Sequence, residues 1–181
     1  MTRGIVIDLK RQRLWVLDEG AVFREAAVST AANGSGEQEG SGGTPRGWHE
    51  VCERFGDGCL IDTVFVGRRP TGEIYTPELA RVHPERDWVL TRILWLSGLE
   101  AGRNRGGEVD SRQRYIYIHG CPDESPLGVA ASHGCIRMRN TELVELFDWS
   151  RPGERVLITE DIDTIEEPKI RAAVAHWDAA G

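Results

Sequence analysis

The sequence predicts a mainly β domain of the sandwich or barrel type, and three observations carry that prediction. Short runs of β-branched and aromatic residues recur along the chain, turn residues separate them, and only residues 141–149 and 168–180 place apolar side chains at helical spacing. At 181 residues the chain is long enough for one domain with a real core and too short for two. The expected division is a main domain over residues 1–160 and a helical extension over residues 161–181.

In order, residues 5–9 and 14–17 read as two strands joined by the polar connection Lys10-Arg11-Gln12-Arg13. Asp18-Glu19-Gly20 turns the chain into a third strand over residues 22–29. Residues 30–47 are rich in Gly, Ser, Asn and Glu, too polar to be buried and too glycine-rich for regular structure, so they form a long loop ending in Thr44-Pro45-Arg46-Gly47. Residues 48–54, 60–67 and 88–96 have strand composition, with Arg68-Arg69-Pro70-Thr71-Gly72 as a turn and no helix expected between them. A second polar loop covers residues 100–111, and residues 114–118 form a strand that delivers His119 at its end. Asn140 is placed to cap a helix that presents Leu143, Leu146 and Phe147 on one face. A last strand lies at residues 156–158, and Ile170, Ala173, Val174 and Trp177 mark an outer C-terminal helix.

A net charge of −7 argues against a nucleic-acid partner or a polybasic membrane patch, because anionic surfaces would repel this field. Lys10 and Lys169 are the only lysines, so local cationic sites rest on arginine, whose planar fork suits carboxylates. The glycine-rich loop fails as a phosphate cradle: it has no lysine, Glu37 and Glu39 would repel phosphate, and Glu39 stands where a dinucleotide fingerprint needs its third glycine. No apolar run approaches the ~20 residues that span a bilayer. Asp8 interrupts the first apolar run, so no secretory signal is visible and a cytoplasmic location is expected, or the cell envelope if another route or another start exports the chain. Cys52, Cys59, Cys121 and Cys135 are too few for a disulfide framework.

The chemistry concentrates in Ser132-His133-Gly134-Cys135-Ile136-Arg137 and in His119-Gly120 upstream. A free thiol is only a few per cent ionised at neutral pH and needs a proton acceptor, for which histidine is suited. His133 lies two residues before Cys135 and His119 sixteen, and either can reach the sulfur if the intervening loop folds back. Gly134, without a Cβ, lets backbone N–H groups approach a developing oxyanion, and Arg137 and Arg139 suit a substrate carboxylate. The bland alternative, a packed cysteine and a hydrogen-bonded core histidine, fits poorly with so many reactive groups in one polar loop. A rival is structural zinc, since His119-Gly120-Cys121 and His133-Gly134-Cys135 together offer two His and two Cys, although single-residue spacing strains chelation within each pair.

Tyr115-Ile116-Tyr117-Ile118-His119-Gly120, then Leu127-Gly128, then Ser132 to Met138 followed by Asn140 and a helix, resemble the L,D-transpeptidase catalytic domain (YkuD-type) family. The opening strands, Val28-Ser29-Thr30 and Thr44-Pro45-Arg46-Gly47 extend the resemblance over residues 5–158. It implies a mostly β catalytic domain acting on bacterial peptidoglycan stem peptides. There the cysteine attacks the carbonyl between a diamino acid, commonly meso-diaminopimelate, and the terminal D-alanine. The acyl group then passes to an amine, giving a 3–3 cross-link, or to water, giving an L,D-carboxypeptidase of murein recycling. By position the resemblance makes Cys135 the nucleophile, His119 the proton carrier, His133 a second polar group and Gly134 an oxyanion donor, with Ser132 and Arg137 meeting substrate. It implies no metal or organic cofactor, and acylation of Cys135 by carbapenems. The interval between His119 and Ser132 is shorter than in many members, which predicts a reduced loop over the site. Cys121 stands where a small polar residue is common and is expected to pack, a redox pairing with Cys135 being the alternative. A wall-binding module that had lost the chemistry would be free to lose Cys135 or His119, and both are present.

Overall fold

The computed structural model describes residues 1–180. Ten strands form one sheet: β1 Gly4–Asp8, β2 Arg13–Asp18, β3 Ala21–Ser29, β4 Gly47–Phe55, β5 Thr63–Val66, β6 Arg69–Ile74, β7 Val89–Gly98, β8 Tyr117–Gly120, β9 Ile136–Met138 and β10 Arg155–Thr159. Their order is β4-β10-β1-β2-β3-β9-β8-β7-β5-β6, and β4 pairs also with β7. That extra pairing closes eight strands into a barrel and leaves the β5–β6 hairpin as a flap on the outside of β7. β4 offers one edge to β10 over Gly47–Glu50 and the other to β7 over His49–Phe55, the β7 pairing shifting register between Val51 and Glu53.

The barrel is filled by alternate residues of its strands. Ile5, Ile7, Leu14, Val28, Leu94, Leu96, Ile118 and Ile136 are all but inaccessible to solvent, and helix α2 (Asn140–Trp149) closes the core with Leu143, Leu146 and Phe147. A second cluster, built on Val6, Trp15, Leu17 and Leu157, lies on the outside of β1, β2 and β10. Helix α3 (Pro168–Ala180) covers it with Ile170 and Val174.

Five local expectations need correction. Residues 69–72 are strand β6 and not a turn, because the reversal falls at Gly67-Arg68, both at positive φ. A short helix α1 (Pro77–Val82) follows, started by Thr76, whose side chain accepts from the Leu79 N–H, and by Pro77 in the first turn. Six residues are too few to show a period. The strand before the site starts at Tyr117 instead of Arg114, since Tyr115 takes φ +57 and ends the approaching turn. Residues 136–138, with a turn directly before them and a helix directly after, are strand β9, too short for alternation to reveal.

The fifth correction concerns Asn140, which is the first residue of α2 and leaves Arg139 as an N-cap without a side-chain bond. The Asn140 side chain points inward: Oδ1 accepts from Thr91 Oγ1 at 2.7 Å, and Nδ2 donates to Asp62 and to the Cys121 carbonyl, each at 2.9 Å. Gly120 makes room for it, since a Cβ there would lie 2.1 Å from Asn140 Oδ1. Asn140→Ala strands three partners, two of them buried, and we expect it to lower the unfolding free energy by about 2–3 kcal/mol in urea titration, well beyond the loss of a surface cap.

Candidate active site

The site is set by the parallel pairing of β8 with β9, in which Ile118 lies opposite Ile136, His119 opposite Arg137 and Gly120 opposite Met138. Successive side chains on a strand face opposite ways. Since Ile118 and Ile136 face the barrel interior, Tyr117 and His119 share the outer face with Cys135 and Arg137. On that face Cys135 packs beside Tyr117, Trp95, Ile93 and Phe65, under the β5–β6 flap.

Backbone groups hold the thiol. Tyr117 N–H donates to Cys135 Sγ at 3.4 Å, and Sγ–H donates to the Tyr115 carbonyl at 3.3 Å. The positive φ of Tyr115 is what aims that carbonyl at the sulfur, a conformation a non-glycine residue adopts only at a cost of about 1 kcal/mol or more. Loss of water around the sulfur pushes the thiol up to about 11, and the Asp87 charge adds to this, while the Tyr117 N–H, Arg137 and Arg114 only partly offset it. Cys135 is therefore a neutral thiol at rest.

His119 is buried, and its Nδ1 lies 2.7 Å from the Gly120 carbonyl. A carbonyl oxygen can only accept, so Nδ1 carries the proton and Nε2 is left with a lone pair. Burial holds the imidazole below its ordinary range despite that carbonyl and Asp87, which keeps it neutral and ready to take a proton.

The remaining predicted residues divide by role. Ser132 is buried; its hydroxyl accepts from the Gly134 N–H at 3.2 Å and donates to the Cys135 carbonyl at 2.5 Å, which locks the turn before β9. Gly134 has φ +136, a backbone state that L side chains rarely adopt. With its N–H held by Ser132, the backbone donor next to the thiol is the N–H of Cys135. The Gly134 carbonyl accepts from Thr44 Oγ1 at 2.9 Å, and the same hydroxyl accepts from the Ala31 N–H at 3.0 Å, so the Thr-Pro-x-Gly turn is fastened to the thiol loop. His133 points outward, with Nδ1 3.2 Å from Asp87. Arg137 is engaged by Asp87 at 2.8 Å and by the Ala131 carbonyl at 3.3 Å.

Asp87 is the residue the sequence did not reveal. It lies in the polar link just before β7, with no periodicity or motif to mark it, yet it joins His133 to Arg137 and acts electrostatically on both His119 and Cys135. Burial would raise its own carboxyl, but Arg137, then His133 and His119, outweigh that and hold it below the usual carboxylate range. A cavity of about 420 Å³ opens here, lined by Asp87, Trp88, Pro122, Ser125, His133 and Arg137. Neither this cavity nor one of about 490 Å³ around Arg46, Trp48 and Glu160 is lined by Cys135 or His119; the Asp87 cavity adjoins the site through His133 and Arg137.

Cys121 is buried and donates to the Met138 carbonyl at 3.5 Å. Continued along the strands, the register sets Cys121 beside Arg139, four residues beyond Cys135, or roughly 13 Å at strand rise. A disulfide between the two would need the strands to separate. Among the described residues no three His, Cys, Asp or Glu side chains are grouped to hold a metal ion, so the two His-Gly-Cys units do not form a four-ligand site.

The model of the L,D-transpeptidase catalytic domain (YkuD) matches residues 2–158. A putative L,D-transpeptidase, YqjB, of Bacillus subtilis strain 168 is 50% identical over 54 residues, 30% of this chain and 31% of that protein. The structure of Bdellovibrio bacteriovorus Bd1075 superposes with a TM-score of 0.58 at 16% identity, covering 99% of this chain and 55% of that one. L,D-transpeptidase 3 from Mycobacterium tuberculosis, in complex with a faropenem-derived adduct, superposes with a TM-score of 0.54 at 16% identity, covering 88% and 60% of the two chains. These structural likenesses are of fold, and the chain spans less than two thirds of each relative's own length.

A thiol near 11 is about one part in ten thousand thiolate at pH 7. Alkylation of Cys135 by iodoacetamide, located by peptide mass spectrometry, is expected to rise about tenfold per pH unit from pH 7 to 10. A rate flat between pH 7 and 9 would instead mean a preformed thiolate–imidazolium pair. Asp87→Asn removes a charge that disfavours the thiolate and releases Arg137, so alkylation at pH 8 should quicken by roughly threefold to tenfold.

Proposed function

Because the chain belongs to the L,D-transpeptidase catalytic domain family, we propose that it is a cysteine acyltransferase acting on peptidoglycan tetrapeptide stems. The observation that carries this reading is the β8–β9 register, which sets a neutral thiol and a neutral imidazole with a free Nε2 on one face. Cys135 attacks the carbonyl that precedes the terminal D-alanine while His119 Nε2 takes the thiol proton, so the sulfur never exists as a free anion in this low-polarity recess. The oxyanion is met by the Cys135 N–H. As the C–N bond breaks, His119 returns the proton to the nitrogen of D-alanine, which departs and leaves a thioester on Cys135.

An amine from a neighbouring stem then attacks the thioester, gives its proton to His119 and forms a 3–3 cross-link, and the thiol is restored. Water in place of the amine releases a tripeptide, the L,D-carboxypeptidase reaction. The acceptor and the compartment go together in this proposal: cross-linking belongs in the cell envelope, and trimming of recovered tetrapeptides belongs in the cytoplasm. β-Lactams of the carbapenem type are proposed to acylate the same sulfur, a reading supported by neighbours in complex with the carbapenem imipenem and with an adduct derived from the penem faropenem.

Incubation with a disaccharide-tetrapeptide, followed by mass analysis, tests the reading. We expect D-alanine release by the wild type with a cross-linked dimer as the main product. Cys135→Ala should abolish release, and His119→Asn should slow it by at least a hundredfold. Tripeptide alone would transfer the assignment to the carboxypeptidase, and undiminished turnover by Cys135→Ala would overturn both.

A further inference from the structure

Four guanidinium groups surround the strand pair that carries Cys135, and three are already bound to protein acceptors. Arg137 holds Asp87 at 2.8 Å, Arg112 holds Glu53 at 2.6 Å, and Arg114 is spread over the carbonyls of Gly36, Glu37 and Gly43. Arg68 differs. It sits at the tip of the β5–β6 flap with φ +65, and among the described residues it is paired with no carboxylate. Its side chain donates one hydrogen bond, to the Tyr117 hydroxyl at 2.9 Å. The guanidinium carbon lies 4.4 Å from the centre of the Trp95 ring and 5.3 Å from that of Tyr115.

The group is thus held in place by aromatic faces and one neutral hydroxyl, which leaves most of its five N–H donors unused in the planar fork that fits a carboxylate. Its supports are the two tyrosines whose backbones hold the thiol. From the Tyr117 N–H at the sulfur to the Tyr117 hydroxyl at Arg68, the span is one tyrosine side chain. The carboxylate of a leaving D-amino acid is only three bonds from the scissile carbonyl carbon. A carboxylate at the far end of a diamino-dicarboxylic acid side chain lies about 6–8 Å from that carbon when extended, which matches the span.

We infer that Arg68 is a specificity residue that receives the side-chain carboxylate of the donor's diamino-dicarboxylic acid. The inference rests on the stem-peptide reading above, and it moves the carboxylate contact expected of Arg137 to a cation that no protein carboxylate occupies.

The test compares two tetrapeptide donors ending in D-alanine, one with a free side-chain carboxylate and one with the same group as a carboxamide. The wild type is expected to favour the carboxylate donor roughly tenfold to thirtyfold in kcat/KM, mostly through KM. Arg68→Gln should bring that ratio close to one by lowering kcat/KM for the carboxylate donor far more than for the carboxamide donor, and Arg68→Lys should retain part of the preference. A merely structural Arg68 would lower both donors alike, and that result, or a wild type that does not discriminate, would overturn the inference. Absence of D-alanine release from either donor by the wild type would instead sink the acyl-transfer reading, and this inference with it.

Discussion

Everything at the site depends on the parallel pairing of β8 and β9. Parallel neighbours need a long crossover, and here the connection is residues 121–135, which carry the thiol at their end. The pairing is fixed from the inside by Ile118 and Ile136, both fully buried, whose removal from water stabilises the register by about 2–3 kcal/mol each. A one-residue slip of β9 against β8 would turn Ile136 outward and carry Cys135 into the core while His119 stayed on the outer face. The packing that stabilises the barrel therefore also aligns the reacting groups. Ser132 and Thr44 complete the alignment from the other side, tying the turn before β9 to itself and to the glycine-rich loop.

The second constraint is electrostatic. Burial disfavours the charged forms of both Cys135 and His119, so the resting pair is neutral. Asp87 acts on the two groups in opposite senses, opposing the Cys135 thiolate while favouring a protonated His119. It also occupies Arg137, which keeps a strong cation near the thiol without leaving it free to trap anions. The same environment that makes the free thiol inert protects it from random oxidation and alkylation.

The fold class was legible because barrel strands bury one face and alternate, and because turn residues separate them. What escaped was short or tertiary in origin. Strand β9 has three residues and α1 six, below the length at which a period can be recognised. Tyr115 looked like strand because its side chain is a strand former, but its backbone is turned by the need to aim a carbonyl at the sulfur. Asn140 looked like a cap by type and position, and burial turned its amide into a three-way tie. The candidate site was legible from Ser132-His133-Gly134-Cys135 and His119-Gly120, whose residue types suit the proposed chemistry and which the β8–β9 pairing brings together. Asp87 and Arg68 were not, because each reaches the site only through the folding of a separate segment onto β7 and β8.

The central claim is that Cys135 alone among the four cysteines becomes acylated, with His119 as its proton carrier. Intact-protein and peptide mass spectrometry after exposure to a carbapenem tests it most directly. The account predicts one adduct per chain, located on Cys135, absent from Cys135→Ala and formed far more slowly in His119→Asn. No adduct on the wild type, or an adduct carried by Cys52, Cys59 or Cys121, would contradict it.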